Sequence, residues 1–168
     1  MSYDIDLNTY SEAPVSPERL SAARAIISRY GGQPVKSFHC FSVRWDDGSG
    51  FSLHARALFD ESLPFSGLLS PLGGLSRRFC DFAYEFASAI GCTISPDVIP
   101  PFVLVVHSAI LTAIPETVQA RSKVIQVSDG LAVHDALSKS YQGWRTLLHD
   151  TARQLNEAFA REERADEA

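Results

Sequence analysis

"KSFHCFSVRWDDGSGFSLHARALF", residues 36–59, sets two runs of alternating apolar and polar side chains on either side of a break rich in Asp and Gly. Phe41, Val43 and Trp45 share one face of the first run, and Phe51, Leu53, Ala55 and Ala57 share one face of the second. An extended chain turns successive side chains to opposite faces, so a period of two marks a half-buried strand. Asp and Gly accept the left-handed backbone that a tight reversal requires. The stretch therefore predicts a β-hairpin. Its second face carries Ser42, Arg44, Ser52, His54 and Arg56, and Phe38 and Cys40 interrupt that polar character, which suggests partial cover.

Upstream, "YDIDLNTY" (3–10) alternates Ile5 and Leu7 with Asp4, Asp6 and Asn8 and predicts another strand. Asp4 and Asp6 on its polar side suit an edge, where charge discourages unwanted pairing. A helix follows. Ser16 is placed to cap it, Pro17 suits its first position, Leu20, Ala23, Ile27 and Tyr30 form the apolar stripe, and Gly31 and Gly32 end it.

Downstream, "DESLPFSGLLSPLGGL" (60–75) has the prolines and glycines of a loop but too many Leu and Phe for a solvated one. It is expected to fold onto the body or to offer a contact surface. Residues 76–90 predict a helix buried through Phe79, Phe82, Ala83, Phe86 and Ile90 and stopped by Gly91. "CTISP", "FVLVV" and "KVIQV" predict short strands, the second covered on both faces, while "ILTAIPETVQA" is ambiguous. The last segment, from Ser128, predicts one helix or a pair divided near Gly143. The expected fold is α+β: one domain over residues 1–160, a mostly antiparallel sheet around a central hairpin with helices packed on it, and a solvated acidic tail at 161–168.

Composition narrows the function. The 168 residues carry a net charge of −5, which disfavours nucleic-acid binding and suits a basic protein partner. No apolar run approaches the roughly 20 residues of a membrane span, and "MSYDIDLNTY" does not read as a secretory signal. Cys40, Cys80 and Cys92 lie among apolar neighbours and form no C-x-x-C pair, which fits buried thiols in a reducing cytoplasm. His39, His54, His107, His134 and His149 are scattered without metal-ligand spacing, so no metal or other cofactor is expected. Cys40 and His39 are strand neighbours pointing opposite ways; only His54 across the hairpin is placed to meet Cys40. No catalytic residue is assigned.

"SPLGGLSRRF" (70–79) is the one stretch that invites chemistry. Gly73 and Gly74 would let backbone N–H groups approach an anion, Ser76 would cap the helix, and Arg77 and Arg78 would supply positive charge. Two arginines at a helix N-terminus are otherwise unfavourable, by roughly 0.3–1 kcal/mol each. The alternative is internal pairing with Asp81, Glu85 or a distant acid, the glycines serving only the turn. The spacing is neither a Walker motif nor a dinucleotide fingerprint.

The opening "MSYDIDL" and the segment "GGLSRRFCDFAYEFA" in this acidic α+β chain resemble small bacterial immunity proteins, which neutralise a cognate toxin delivered by secretion systems or contact-dependent killing. The resemblance is one of class, transfers no residue role, and implies a non-enzymatic, cytoplasmic protein-binding module that occludes its toxin. The contacts expected on that reading are Trp45, Asp46, Asp47, Phe65, Leu68, Arg77 and Arg78, although the place of Trp45 on the apolar face of its strand favours core burial for it. The alternative is a binder of, or enzyme acting on, a small anionic ligand held by Gly73, Gly74, Ser76, Arg77 and Arg78, with His54 or His107 moving a proton. Oligomeric state is left open.

Overall fold

Two sheet faces of different character emerge when the extended segments pair. The structure is a computed structural model that describes residues 3–143 and residue 146. In chain order its elements are β1 (Ile5–Asn8), α1 (Pro17–Arg29), β2 (Gln33–Val35), β3 (Cys40–Arg44), β4 (Gly50–His54), β5 (Ser66–Leu72), α2 (Arg77–Ile90), β6 (Thr93–Pro96), β7 (Phe102–Val105), α3 (Glu116–Gln119), β8 (Lys123–Gln126) and α4, helical over residues 130–143. The strands form one sheet in the order β2-β3-β4-β5-β1-β6-β7-β8, antiparallel except for β7 beside β8. The fold is α+β around one hydrophobic core, and the hairpin is β3–β4.

Register fixes which side chains share a face. Phe41 pairs with Leu53 and Val43 with Phe51; Leu53 pairs with Leu69; Leu69 pairs with Ile5; Leu7 pairs with Ile94. These residues make one apolar face, and α1 and α2 pack on it. Phe82 of α2 stacks on Phe51 at 4.0 Å between ring centroids, Phe86 lies 5.5 Å from Phe82, and Tyr30 meets Phe82 edge-on at 5.3 Å. Arg29 and Glu85 join the two helices at their outer surface. The helix ends follow sequence: Ser16 accepts the Arg19 N–H, Ser76 accepts the Phe79 N–H, and Gly91 closes α2 in the left-handed conformation.

Two expectations are corrected. Residues 60–75 are not a loop throughout, because Ser66–Leu72 is the seven-residue strand β5, between β4 and β1. Pro71 concealed it, since a proline cannot donate to a ladder. The β1 pairing ends at Ile5↔Leu69, so at Pro71 the strand has a neighbour only in β4. β1 in turn is no edge: it lies between β5 and β6, and Asp4 and Asp6 therefore sit mid-sheet. The true edge beside the hairpin is the three-residue β2, with Pro34 in it, which periodicity did not reveal. β7 is covered on both faces as expected, with Val103, Leu104 and Val105 all buried. The ambiguous segment resolves into a 3-10 turn, Ser108–Ala113, followed by α3.

α4 packs on the helical side through Val133 and Leu137. Tyr3, one step before β1 on its apolar side, meets Tyr141 edge-on at 5.1 Å, and its hydroxyl lies 2.5 Å from Ser140 Oγ. The course of the chain past Gly143, whether one helix or two, and the 161–168 tail lie outside the described residues.

Phe82→Ala removes the ring that joins the hairpin to both helices, and should lower the urea-unfolding free energy by about 3–5 kcal/mol with little change in m. Burial pushes the Tyr3 phenol up to about 12. A group whose pKa is raised by folding stabilises the fold fully below its unfolded value, roughly 10, and loses that contribution as pH rises through the folded one. Melting temperature should fall across that alkaline window, and by less in Tyr3→Phe.

Candidate functional site

The hairpin turn and the start of α2 meet at one end of the sheet. Within the turn, Gly48 N–H donates to the Trp45 carbonyl and Trp45 N–H to the Ser49 carbonyl. Asp47 Oδ1 accepts both the Ser49 N–H, at 2.9 Å, and the Ser49 hydroxyl, at 2.6 Å. Those bonds, with a smaller contribution from Arg78, hold the Asp47 carboxyl below its usual range. Asp46 and Asp47 are both exposed. The sequence puts the acids here because an Asx turn needs a short carboxylate two residues before the N–H it accepts.

Gly73 and Gly74 have φ of +76° and +108°, which side-chain-bearing residues rarely adopt. A Cβ on Gly73 would lie 3.2 Å from Ser49 Cα, so the glycine lets the chain leaving β5 pass close beneath the hairpin turn. Its role is packing.

The arginines are engaged separately. Arg77 Nε donates to Asp81 Oδ1 at 2.8 Å, one helical turn on, and this bond raises the Arg77 pKa; Asp129 adds to it. Arg78 lies over the Trp45 ring, 4.6 Å from its centroid. The two guanidinium groups are thus fixed on different partners, and neighbouring acids and a ring face offset the unfavourable helix dipole.

The other expected contacts fall in different places. Trp45 is buried, its Nε1–H donating to the Tyr30 carbonyl at 3.1 Å. Phe65 is also buried, 6.0 Å from Phe86. Both belong to the core, because each continues the apolar alternation of its strand: Trp45 takes the burial its strand face favoured, and the expectation that Phe65 touches a partner is corrected. Leu68 lies on the opposite face of the sheet and is 37% exposed.

That opposite face was not legible as a unit. Register aligns Ser42, Ser52 and Ser70 across β3, β4 and β5, and Cys40, His54, Leu68, Asp6 and Ser95 from β3 to β6. Each strand shows its polar alternation in sequence, but nothing in sequence shows that β1 stands next to β5.

Cys40 is directly opposite His54, as their hairpin positions allowed, yet no hydrogen bond joins them among the described residues. All three cysteines are buried and free. Burial pushes the Cys80 thiol up to about 12 and the Cys92 thiol higher still, which opposes nucleophilic use. Among the described residues no three His, Cys, Asp or Glu side chains gather as metal ligands. His107 is exposed beyond β7, and His134 Nε2 lies 3.3 Å from Ser138 Oγ on α4; His149 lies outside the described residues. No protein-family model matches the chain, and neither does any curated protein or solved structure.

Arg78→Ala removes a cation–π contact of about 0.5–1 kcal/mol and also a dipole penalty of similar size. Stability should therefore change by less than about 1 kcal/mol, while the Trp45 indole N–H resonance shifts. A loss several times larger would show that Arg78 holds the turn in place.

Proposed function

We propose that this protein is a non-enzymatic binding module, an immunity protein that binds a cognate bacterial toxin and covers its active surface. The observation that carries the reading is the acidic hairpin tip: two exposed carboxylates, Asp46 and Asp47, on a turn ordered by its own hydrogen bonds and packed over Gly73. That order matters because a tip fixed before binding loses little entropy on complex formation. Trp45 and Phe65 serve this reading from within, as core supports. The net charge of −5 adds long-range attraction to a basic target. Such an inhibitor acts in the cytoplasm; no described helix is long and apolar enough to cross a membrane.

The anionic-ligand alternative draws less support, since Arg77 is bound to Asp81 and Arg78 lies on Trp45. Calorimetric titration with inorganic phosphate separates the two readings: saturable binding abolished by Arg77→Ala/Arg78→Ala favours the ligand.

The direct experiment is co-expression with each protein encoded beside this one in its genome. One of them should arrest growth alone and not in the presence of this chain. Asp46→Lys/Asp47→Asn, which keeps an acceptor for Ser49 in the turn, should fold normally, weaken the complex at least roughly tenfold and lose protection. Protection unaffected by that variant excludes the hairpin tip; no protection against any neighbour removes the immunity reading.

A further inference from the structure

The sheet ends differently at its two edges. β2 is three residues long and carries Pro34, both of which discourage a further strand. β8 has no proline, pairs with β7 in unbroken register and is centred on Val124 and Ile125. Lys123 N–H donates to the Pro101 carbonyl and Val127 N–H to the Val105 carbonyl, so the odd-numbered residues of β8 turn their backbone groups toward β7. The N–H and C=O of Val124 and Gln126 therefore point away from the sheet, and among the described residues nothing bonds to them. Val124 and Ile125, on opposite faces, are only half-buried, with β7 as their one neighbouring strand. Charge is ordered along this edge: Arg121 and Lys123 lie at its start and Asp129 just past its end, all three exposed. Lys123 has no ion pair among the described residues.

We propose that two copies of the chain join edge to edge through β8, antiparallel, into one continuous sheet about a two-fold axis at Ile125. In that register Val124 of each copy stands opposite Gln126 of the other. Each such pair exchanges two backbone bonds, so every outward N–H and C=O of Val124 and Gln126 finds a partner within the two strands. Shifting the register by two residues in one direction would instead call on Ser122, whose N–H is held by the Val118 carbonyl in a turn. The two Ile125 side chains meet at the axis, a β-branched cross-strand pair. Lys123 of each copy falls opposite Val127 of the other, within reach of Asp129 two residues on, and the symmetry makes that ion pair twice. A second copy is the occupant because a strand with bases at its start and an acid past its end is complementary to itself only when reversed. The contact is isologous and closes at two copies.

The proposal does not depend on the toxin reading, which uses the hairpin tip. Its test combines sedimentation equilibrium of the full chain with amide hydrogen exchange. The wild type should approach twice 18.4 kDa with rising concentration. Exchange at the Val124 and Gln126 amides should slow in step with the mass. Gln126→Pro, at an exposed position whose N–H does not serve β7, removes two of the four bonds across the axis and should weaken association by roughly tenfold or more. Lys123→Glu, which leaves the backbone untouched, sets like charges together and should weaken it a few-fold, more at low salt than at high. Circular dichroism checks that both variants fold, and the wild-type exchange data and Lys123→Glu decide the matter if Gln126→Pro does not. A wild type that stays at 18.4 kDa at high micromolar concentration overturns the proposal. So does growth beyond two copies, a dimer that leaves the Val124 and Gln126 amides unprotected, or one indifferent to Lys123→Glu. Asp46→Lys/Asp47→Asn should leave association unchanged.

Discussion

The contact of Phe82 on Phe51 joins what local sequence builds separately. Phe51 belongs to a hairpin that can form from neighbouring residues, and Phe82 to a helix capped by its own Ser76 and Gly91. Neither element is stable alone in water: an isolated hairpin is marginal, and so is a helix of this length. Their two rings, with Phe79, Phe86 and Tyr30 around them, bury the apolar face of one against the stripe of the other. The direction of that stack settles which face of every strand is covered, because register propagates the alternation from β4 through β5 and β1 to β6.

From this follows the uneven treatment of polar residues. Among the described residues only Thr9, on the covered face, and Thr93, on the opposite face of β6, are buried polar residues, and each donates its hydroxyl to a backbone carbonyl. The opposite face keeps Ser, His, Asp and Arg in ordered rows over β3, β4, β5 and β1, where His54, Asp6 and Arg44 reach solvent, while its β6–β7 part is covered. A flat array of strands also fixes the spacing between those side chains, which a loop would not.

At the end of the sheet, the hairpin tip shows a different use of the same rigidity. Gly73 permits the close passage of the chain, Ser49 orders Asp47, and Arg78 covers the Trp45 ring that underlies the turn. Charges on this tip are exposed, so their energetic worth within the fold is small. What the fold supplies is position. Arg77 and Arg78, adjacent in sequence, end on opposite commitments because one helical step of about 100° turns one toward Asp81 and the other toward the hairpin.

Local sequence determined the hairpin, both capped helices, the short strands β6 to β8 and the burial of the cysteines, since each depends on side chains a few residues apart. It did not determine β5, where Pro71 obeys the rule for loops and is excused by the early end of β1. Nor did it place β1 at the centre, where Asp4 and Asp6 read as edge charges until β5 and β6 are seen on either side. Trp45 was legible as core from the alternation of its strand, but Phe65 stood in a segment that read as a loop, and only the packing of α2 showed it to be core. The hairpin tip was visible in sequence as Asp46 and Asp47, but its attachment to Gly73 and Arg78 was not. Pairing between strands distant in the chain is set by the common burial of their apolar faces, a sum over the whole molecule, and a local window of sequence holds only one term of it.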